Sequence, residues 1–199
     1  MTHPLFTTVY VTELVALHRL NQGIIRLDSP ICDHSASTFL DELAYVESEV
    51  ALPNGIRLEI ICQGGDAYAA FAIYDAIIAC PLRVTGVVYG IAASAASMIV
   101  LQACTYRFAH PNARLLIHEV RSSTEQTDGR ITLVQDDVDE GQVVYLNILN
   151  VLANRMSMTV ANLRKLCDRR EYWLSAAKAQ QLGLIDGVIH APPTLDNVP

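Results

Sequence analysis

Positive charge is scarce in this chain. Lys and Arg number 14 against 21 Asp and Glu over 199 residues, a formal net charge of −7. A surface that attracts phosphate non-specifically must be locally basic, so nucleic acid and anionic lipid are not expected as general partners. The one basic cluster, Arg164, Lys165, Arg169 and Arg170, has helix-like spacing beside Asp168 and Glu171 and reads as a solvated or ion-paired face. Paired cysteines are also missing: those at 32, 62, 80, 104 and 167 are odd in number, scattered, and form no C-x-x-C motif. They read as buried or neutral thiols in a reducing compartment. Met1 to Leu20 has no basic n-region followed by an unbroken apolar run and a small-residue cleavage site, so a secretory signal is not visible and a cytoplasmic location is expected. Internal repeats and low-complexity tracts do not stand out.

Long hydrophobic runs are limited to one. Val84 to Tyr106 carries no charge over 23 residues, long enough to span a bilayer. Its Thr85, Gly86, Gly90, Ser94, Ser97 and Gln102, its many alanines and the natural break at Gly90 favour a buried strand, turn and helix instead. No membrane span is expected.

What is present is a strand-turn-helix cadence. Gly23 to Leu27 reads as a strand and Ser35 to Glu49 as an amphipathic helix with Phe39, Leu40, Leu43 and Val46 on its apolar stripe. Ile56 to Ile61 is a strand, Gly64-Gly65 a sharp turn, and Ala67 to Ala79 a helix. Arg83 to Tyr89 is a strand, Gly90 a turn, and Ser94 to Gln102 a helix, with a strand pair at Thr105 to Phe108 and Ala113 to Ile117. Arg121 to Arg130 is polar, a loop or irregular edge strand, and a long helix follows over about Ile131 to Met156. Asp136, Asp137, Asp139 and Glu140 suit the positive end of that helix's dipole, and Val144, Ile148, Val151 and Leu152 give it an apolar face for the core or a partner chain. A helix from Thr159 to Cys167 comes next, then Ser175 as N-cap of a helix Ala176 to Leu182 that Gly183 ends, then a strand Leu184 to Val188. Ala191 to Pro199, with three prolines, reads as an untethered tail. The cadence predicts an α/β fold with a largely parallel sheet in one domain over 1–199.

Chemistry concentrates at three strand ends. Ser94 lies among residues too small to bury a hydroxyl, and His118 closes the apolar run Leu115-Leu116-Ile117. An attacking oxygen and a base to take its proton are what nucleophilic catalysis needs. Ser94 also opens a predicted helix, where free N–H groups point outward, so the N–H of Ala95 is one candidate oxyanion donor and Gly64-Gly65 offers another. Taken singly, each piece has an ordinary explanation: a packing serine, a turn, a rim histidine. Ser97 is a rival nucleophile that more readily faces neighbouring backbone. The other histidines, at 3, 18, 34, 110 and 190, lack a matching context.

Taken in order, four motifs resemble those of the proteolytic-subunit (ClpP) family of Clp proteases. They are Cys62-Gln63-Gly64-Gly65, Gly90-Ile91-Ala92-Ala93-Ser94, Pro111-Asn112-Ala113-Arg114-Leu115-Leu116-Ile117-His118, and Leu174-Ser175-Ala176 with Gly183-Leu184-Ile185-Asp186; Ala72-Ile73-Tyr74-Asp75 also matches. The resemblance runs from about Gly23 to Ile189. It implies a crotonase-type α/β fold of repeated strand-turn-helix units with a protruding handle helix: a short N-terminal segment 1–22, a head of 23–120 and 172–189, a handle region of about 121–170, and a flexible tail 190–199. It implies a serine endopeptidase with Ser94 as nucleophile, His118 as general base, and the N–H groups of Gly65 and Ala95 as oxyanion hole. The family's aspartate position is occupied by Glu171, which can still orient an imidazole as Ser-His-Glu triads do, with Asp168 as the alternative acid. No metal or organic cofactor is implied, and ATP would be consumed by a separate unfoldase. Self-association into heptameric rings stacked as a tetradecamer is implied, acting on peptide substrates.

Departures from the pattern open a second reading. Glu119-Val120-Arg121-Ser122-Ser123 stands where the family has a glycine-rich segment, which changes the peptides that can pair with it as an added strand. The stretch before Gly23 lacks the pattern that forms axial loops contacting an AAA+ unfoldase, which puts that partner in question. These features and Glu171 suit a weakly active or regulatory subunit of a mixed ring with an active paralogue. A third reading, an acyl-CoA hydratase or isomerase on the same fold, has no use for a serine-histidine pair.

Overall fold

The computed structural model describes residues 4–49, 55–120, 131–168 and 171–190. Its centre is a mixed sheet whose parallel part runs in the order β1 (Ile24–Leu27), β2 (Ile56–Cys62), β3 (Val84–Ala93), β4 (Tyr106–Ala109) and β7 (Gly187–Val188). Period-two alternation explains β2: Ile56, Leu58, Ile60 and Cys62 face the core, while Arg57 and Glu59 face the other way. On that opposite face Glu59 bridges Arg26 at 2.8 Å and Arg57 at 3.2 Å, so the buried carboxylate is paired from both neighbours.

Helices α2 (Asp33–Glu49) and α3 (Ala67–Ala79) pack their apolar stripes on the core face, with Phe39, Leu43 and Val46 from one and Ala70, Ile73 and Ile77 from the other. The Asp66 carboxylate caps α3 by accepting from the Ala69 N–H at 2.8 Å. The long α5 (Ile131–Met156) packs against the short α6 (Val160–Cys167) and against the residues that follow β3. Val144, Ile148 and Leu152 are buried, so the apolar face of α5 belongs to the core. Its acidic residues begin beyond the first turn, which holds none, so they lie outside the reach of the helix dipole.

Several sequence expectations are corrected. Gly90 does not end its strand. Between the pairs Ile60↔Val88 and Cys62↔Ala92, β3 advances four residues while β2 advances two, and Gly90 sits in that bulge at φ +68°. The bulge re-aims the strand, so that Thr85–Val88 pair with β4 and Ile91–Ala93 with β5 (Arg114–His118). The strands β4 and β5 therefore flank different halves of β3 instead of pairing with each other. The helix expected from Ser94 begins as a π-helical segment, Ala96–Val100, and finishes in the three-residue α4, Leu101–Ala103. The last strand is shortened to Gly187–Val188, and Leu184 and Ile185 are buried in the turn after α7 (Ala176–Gln181). Before Gly23 there is a helix, α1 (Pro4–Asn21), tied to α2 by Arg19–Glu42 at 2.8 Å and by the Tyr45 hydroxyl donating to Asn21 Oδ1 at 2.8 Å. Cys32 is exposed instead of buried, and hydrogen bonds from Ser35 pull its thiol pKa down. The segment Arg121 to Arg130, Arg169, Arg170 and the tail lie outside the described residues.

Candidate active site

Ser94 follows β3 at φ +55°, a left-handed conformation that a side chain adopts only at a cost of about 1–2 kcal/mol. Two features of the fold hold it there. Its N–H donates to the Leu116 carbonyl on β5 at 3.1 Å, and its carbonyl accepts the N–H groups of Ser97 at 3.0 Å and Met98 at 2.8 Å. Gly64 supplies the room: a Cβ there would stand 2.6 Å from the Ala93 carbonyl oxygen and 2.7 Å from Ser94 Cβ.

His118 ends β5, two residues beyond Leu116. Its Nε2 is 2.8 Å from Ser94 Oγ, and its Nδ1 is hydrogen-bonded to the carbonyl oxygen of Glu119. That carbonyl can only accept, so Nδ1 carries the proton and, in the neutral ring, Nε2 presents its lone pair to the serine hydroxyl. The hydroxyl donates, and the tautomer required of a base is set by backbone. This Glu119 contact has no signature in sequence, since any residue has a carbonyl.

Gly65 extends from the neighbouring strand end at φ +151°, paired to Ile31. The Ile31 N–H donates to the Gly64 carbonyl at 2.9 Å, and the Asp66 N–H donates to the Ile31 carbonyl at 2.9 Å. In a parallel ladder the residue between those bonds turns its own N–H to the opposite side, away from Ile31. A Cβ on Gly65 would lie 2.1 Å from the Ile31 oxygen, so only glycine fits.

Glu171 begins β6 (Glu171–Ser175), which pairs antiparallel with β5 so that Glu171 stands opposite His118 and Trp173 opposite Leu116. The strand pairing thus brings the acid position beside the histidine. Asp168, the alternative acid, is at the C-terminus of α6 and does not line the cavity described next. Ser97, the rival nucleophile, is fully buried with its hydroxyl donated to the Leu116 carbonyl.

A cavity of about 970 Å³ joins these groups, with Ser94, His118, Gly65, Ala95 and Glu171 on its wall. Met98 and Ile99 from the π-helical segment and Val144 and Ile148 from α5 make part of it apolar. Across it, the Tyr68 hydroxyl donates to Glu140 Oε1 at 2.7 Å, linking α3 to α5, and that carboxylate raises the tyrosine pKa. Among the described residues no group of three or more His, Cys, Asp or Glu is arranged to hold a metal, and no helix is long and apolar enough to cross a membrane.

The fold and cavity define an α/β protein with a hydrogen-bonded serine-histidine pair at the end of a bulged parallel strand. Residues 12–192 match the family model described as Clp protease. The chain is 30% identical over 181 residues to proteins named ATP-dependent Clp protease proteolytic subunit from two strains of Bacteroides fragilis, covering 90% of this chain and 85% and 80% of theirs. The chain belongs to the Clp protease family, and the activity class this supports is that of a Clp-type peptidase.

Proposed function

We propose that this chain is a serine endopeptidase subunit of a self-compartmentalised, ATP-dependent Clp-type protease, hydrolysing unfolded polypeptides through an acyl-enzyme. The observation that carries the reading is the 2.8 Å contact between Ser94 Oγ and His118 Nε2, with Nδ1 held as the proton-bearing nitrogen. Ser94 Oγ attacks the peptide carbonyl as Nε2 takes its proton, and the imidazolium then delivers that proton to the leaving amine. Water cleaves the acyl ester by the same route in reverse. The N–H groups of Gly65 and Ala95 receive the developing oxyanion, a contribution worth about 3–4 kcal/mol per donor in comparable enzymes. Glu171, opposite His118 in the β5–β6 register, offsets the imidazolium charge while the Glu119 carbonyl fixes the ring. Assembly into stacked heptameric rings in the cytoplasm, with an AAA+ unfoldase delivering substrate, belongs to the same proposal.

A fluorophosphonate probe followed by peptide mapping tests it. Ser94 is the expected site of modification, and Ser94→Ala abolishes labelling. Labelling that persists in Ser94→Ala and disappears in Ser97→Ala would overturn the assignment.

A second reading, a weakly active or regulatory subunit in a mixed ring with an active paralogue, is favoured by one observation: the single Nδ1 proton of His118 goes to the Glu119 carbonyl and not to a carboxylate. Cleavage of a small fluorogenic peptide by the purified chain, compared with the chain plus paralogue, separates the two. Robust activity alone ends the second reading.

A further inference from the structure

We infer that Ser97 is a positioning residue for the Ser94–His118 pair, held in place by a chain of hydrogen bonds that runs through the buried Gln102 and Arg107 to Asp186 at the surface. The inference rests on the serine-peptidase reading above and extends it to residues that touch neither substrate nor reacting atoms.

The geometry begins at one oxygen. The Leu116 carbonyl accepts the Ser94 N–H at 3.1 Å and the Ser97 hydroxyl, so two points on the turn are pinned to the strand that carries His118 two residues later. Ser97 Oγ is also 3.1 Å from the Ser94 carbonyl, but one hydroxyl has one proton and the Leu116 oxygen is nearer. Behind this clamp the Ser97 carbonyl accepts from Gln102 Nε2 at 2.8 Å. Gln102 Oε1 accepts from Arg107 Nη1 at 2.7 Å. The amide orientation is unambiguous, because a carbonyl only accepts and a guanidinium only donates. Arg107 in turn forks onto Asp186 through Nε at 3.1 Å and through Nη2, and its backbone N–H donates to the same carboxylate at 2.7 Å. Arg155 Nε, from α5, holds the Gln102 carbonyl at 2.9 Å.

Burial gives the chain its consequence. Ser97 and Gln102 are 0% exposed and Arg107 is 5% exposed, so water cannot replace a lost partner. The segment they hold is π-helical and starts from Ser94 at φ +55°, a conformation that persists only where its surroundings over-determine it. Loss of the Ser97 hydroxyl leaves the Leu116 carbonyl holding the turn through the Ser94 N–H alone. The distance at stake is that between Oγ and Nε2, and displacement of reacting groups by about 1 Å can cost about 10²-fold in rate.

The test measures kcat and KM on a fluorogenic peptide, and the fluorophosphonate labelling rate, for Ser97→Ala, Ser97→Cys, Ser97→Thr and Gln102→Met at a temperature where each is fully folded. The expected result is a fall of about 10- to 100-fold in kcat for the alanine, cysteine and methionine variants, with KM within about twofold and labelling reduced in parallel. Ser97→Thr keeps the hydroxyl but overfills the site, whereas Ser97→Cys keeps the volume with a weak donor. Rates that follow the hydroxyl, threonine above cysteine, support positioning; rates that follow volume, or an unchanged kcat in Ser97→Ala, overturn it. Should the threonine variant not fold, Gln102→Met decides, and a wild-type kcat there overturns the inference. Ser94→Ala runs alongside: activity surviving in it refutes the peptidase reading itself, whereas an inactive Ser94→Ala with a fully active Ser97→Ala refutes only the positioning role.

Discussion

The turn that carries Ser94 depends on the absence of one methyl group, which makes Gly64→Ala the most informative single change. At φ +93° an alanine is in a backbone region that costs roughly 1–2 kcal/mol. Its Cβ would also stand 2.6 Å from the Ala93 oxygen, 2.7 Å from Ser94 Cβ and 3.0 Å from the Ala95 nitrogen, contacts that must open by several tenths of an ångström. Overpacking of this kind adds about 1–3 kcal/mol, so the total is about 2–5 kcal/mol. At about 2–4 °C per kcal/mol for a chain of this size, melting falls by roughly 4–20 °C. Displacement falls on Ser94 and Ala95, so fluorophosphonate labelling drops by about 10²-fold at temperatures where the variant is folded. Gly90→Ala is the internal comparison: φ is +68°, but nothing lies within 4 Å of its Cβ, so only the backbone cost of about 1–2 kcal/mol remains and labelling is nearly unchanged. Scanning calorimetry and timed labelling measure both. A Gly64→Ala protein that melts and labels like the parent would refute the reasoning that close approach to Ser94 is what this glycine provides.

Cysteine reactivity should divide by environment. With iodoacetamide at pH 7.5 and mass spectrometry, Cys32, exposed and with its pKa lowered by Ser35, is modified first, while Cys104, buried and pushed up to about 12, resists until unfolding; comparable rates for the two would contradict this. Stability should also respond to pH through Glu42, whose pKa is raised by burial against the pull of Arg19. A raised folded-state pKa means that this group's contribution is fully present below the ordinary carboxylate value of about 4.3 and is lost as pH rises through the folded value. Denaturant melts should therefore show Glu42→Gln gaining relative to the parent between pH 4 and pH 7; a parent that gains on Glu42→Gln over that interval would contradict the burial argument.

Local pattern made much of the fold legible. The helix Ala67–Ala79 and the long helix Ile131–Met156 have the bounds their apolar periodicity predicts, and Thr159 and Ser175 cap helices by accepting from N–H groups three residues on. Those signals act over a few residues, so sequence carries them directly. The N-terminal helix lies outside these expectations, and its apolar residues Val11, Leu14, Val15 and Leu17 are exposed instead of packed on the core. Gly90 looked like a stop, because the same residue serves a turn and a bulge. Which it is depends on whether another strand, here β5, is available to receive the chain beyond it.

At the site, the residue types are legible along the chain: a serine among alanines, a glycine pair, a histidine closing an apolar strand, and an acid before Leu174-Ser175. Folding adds what no local pattern holds: Ser94 and His118 lie 2.8 Å apart, Glu171 stands opposite the histidine, the Glu119 carbonyl occupies Nδ1, and Ser97 is turned inward onto Leu116. The physical reason is the range of the forces. Propensity, periodicity and capping are settled between near neighbours, whereas the register of β3 on β5 and of β5 on β6 is a choice among distant partners, made by burial and by hydrogen bonds that must all be satisfied together.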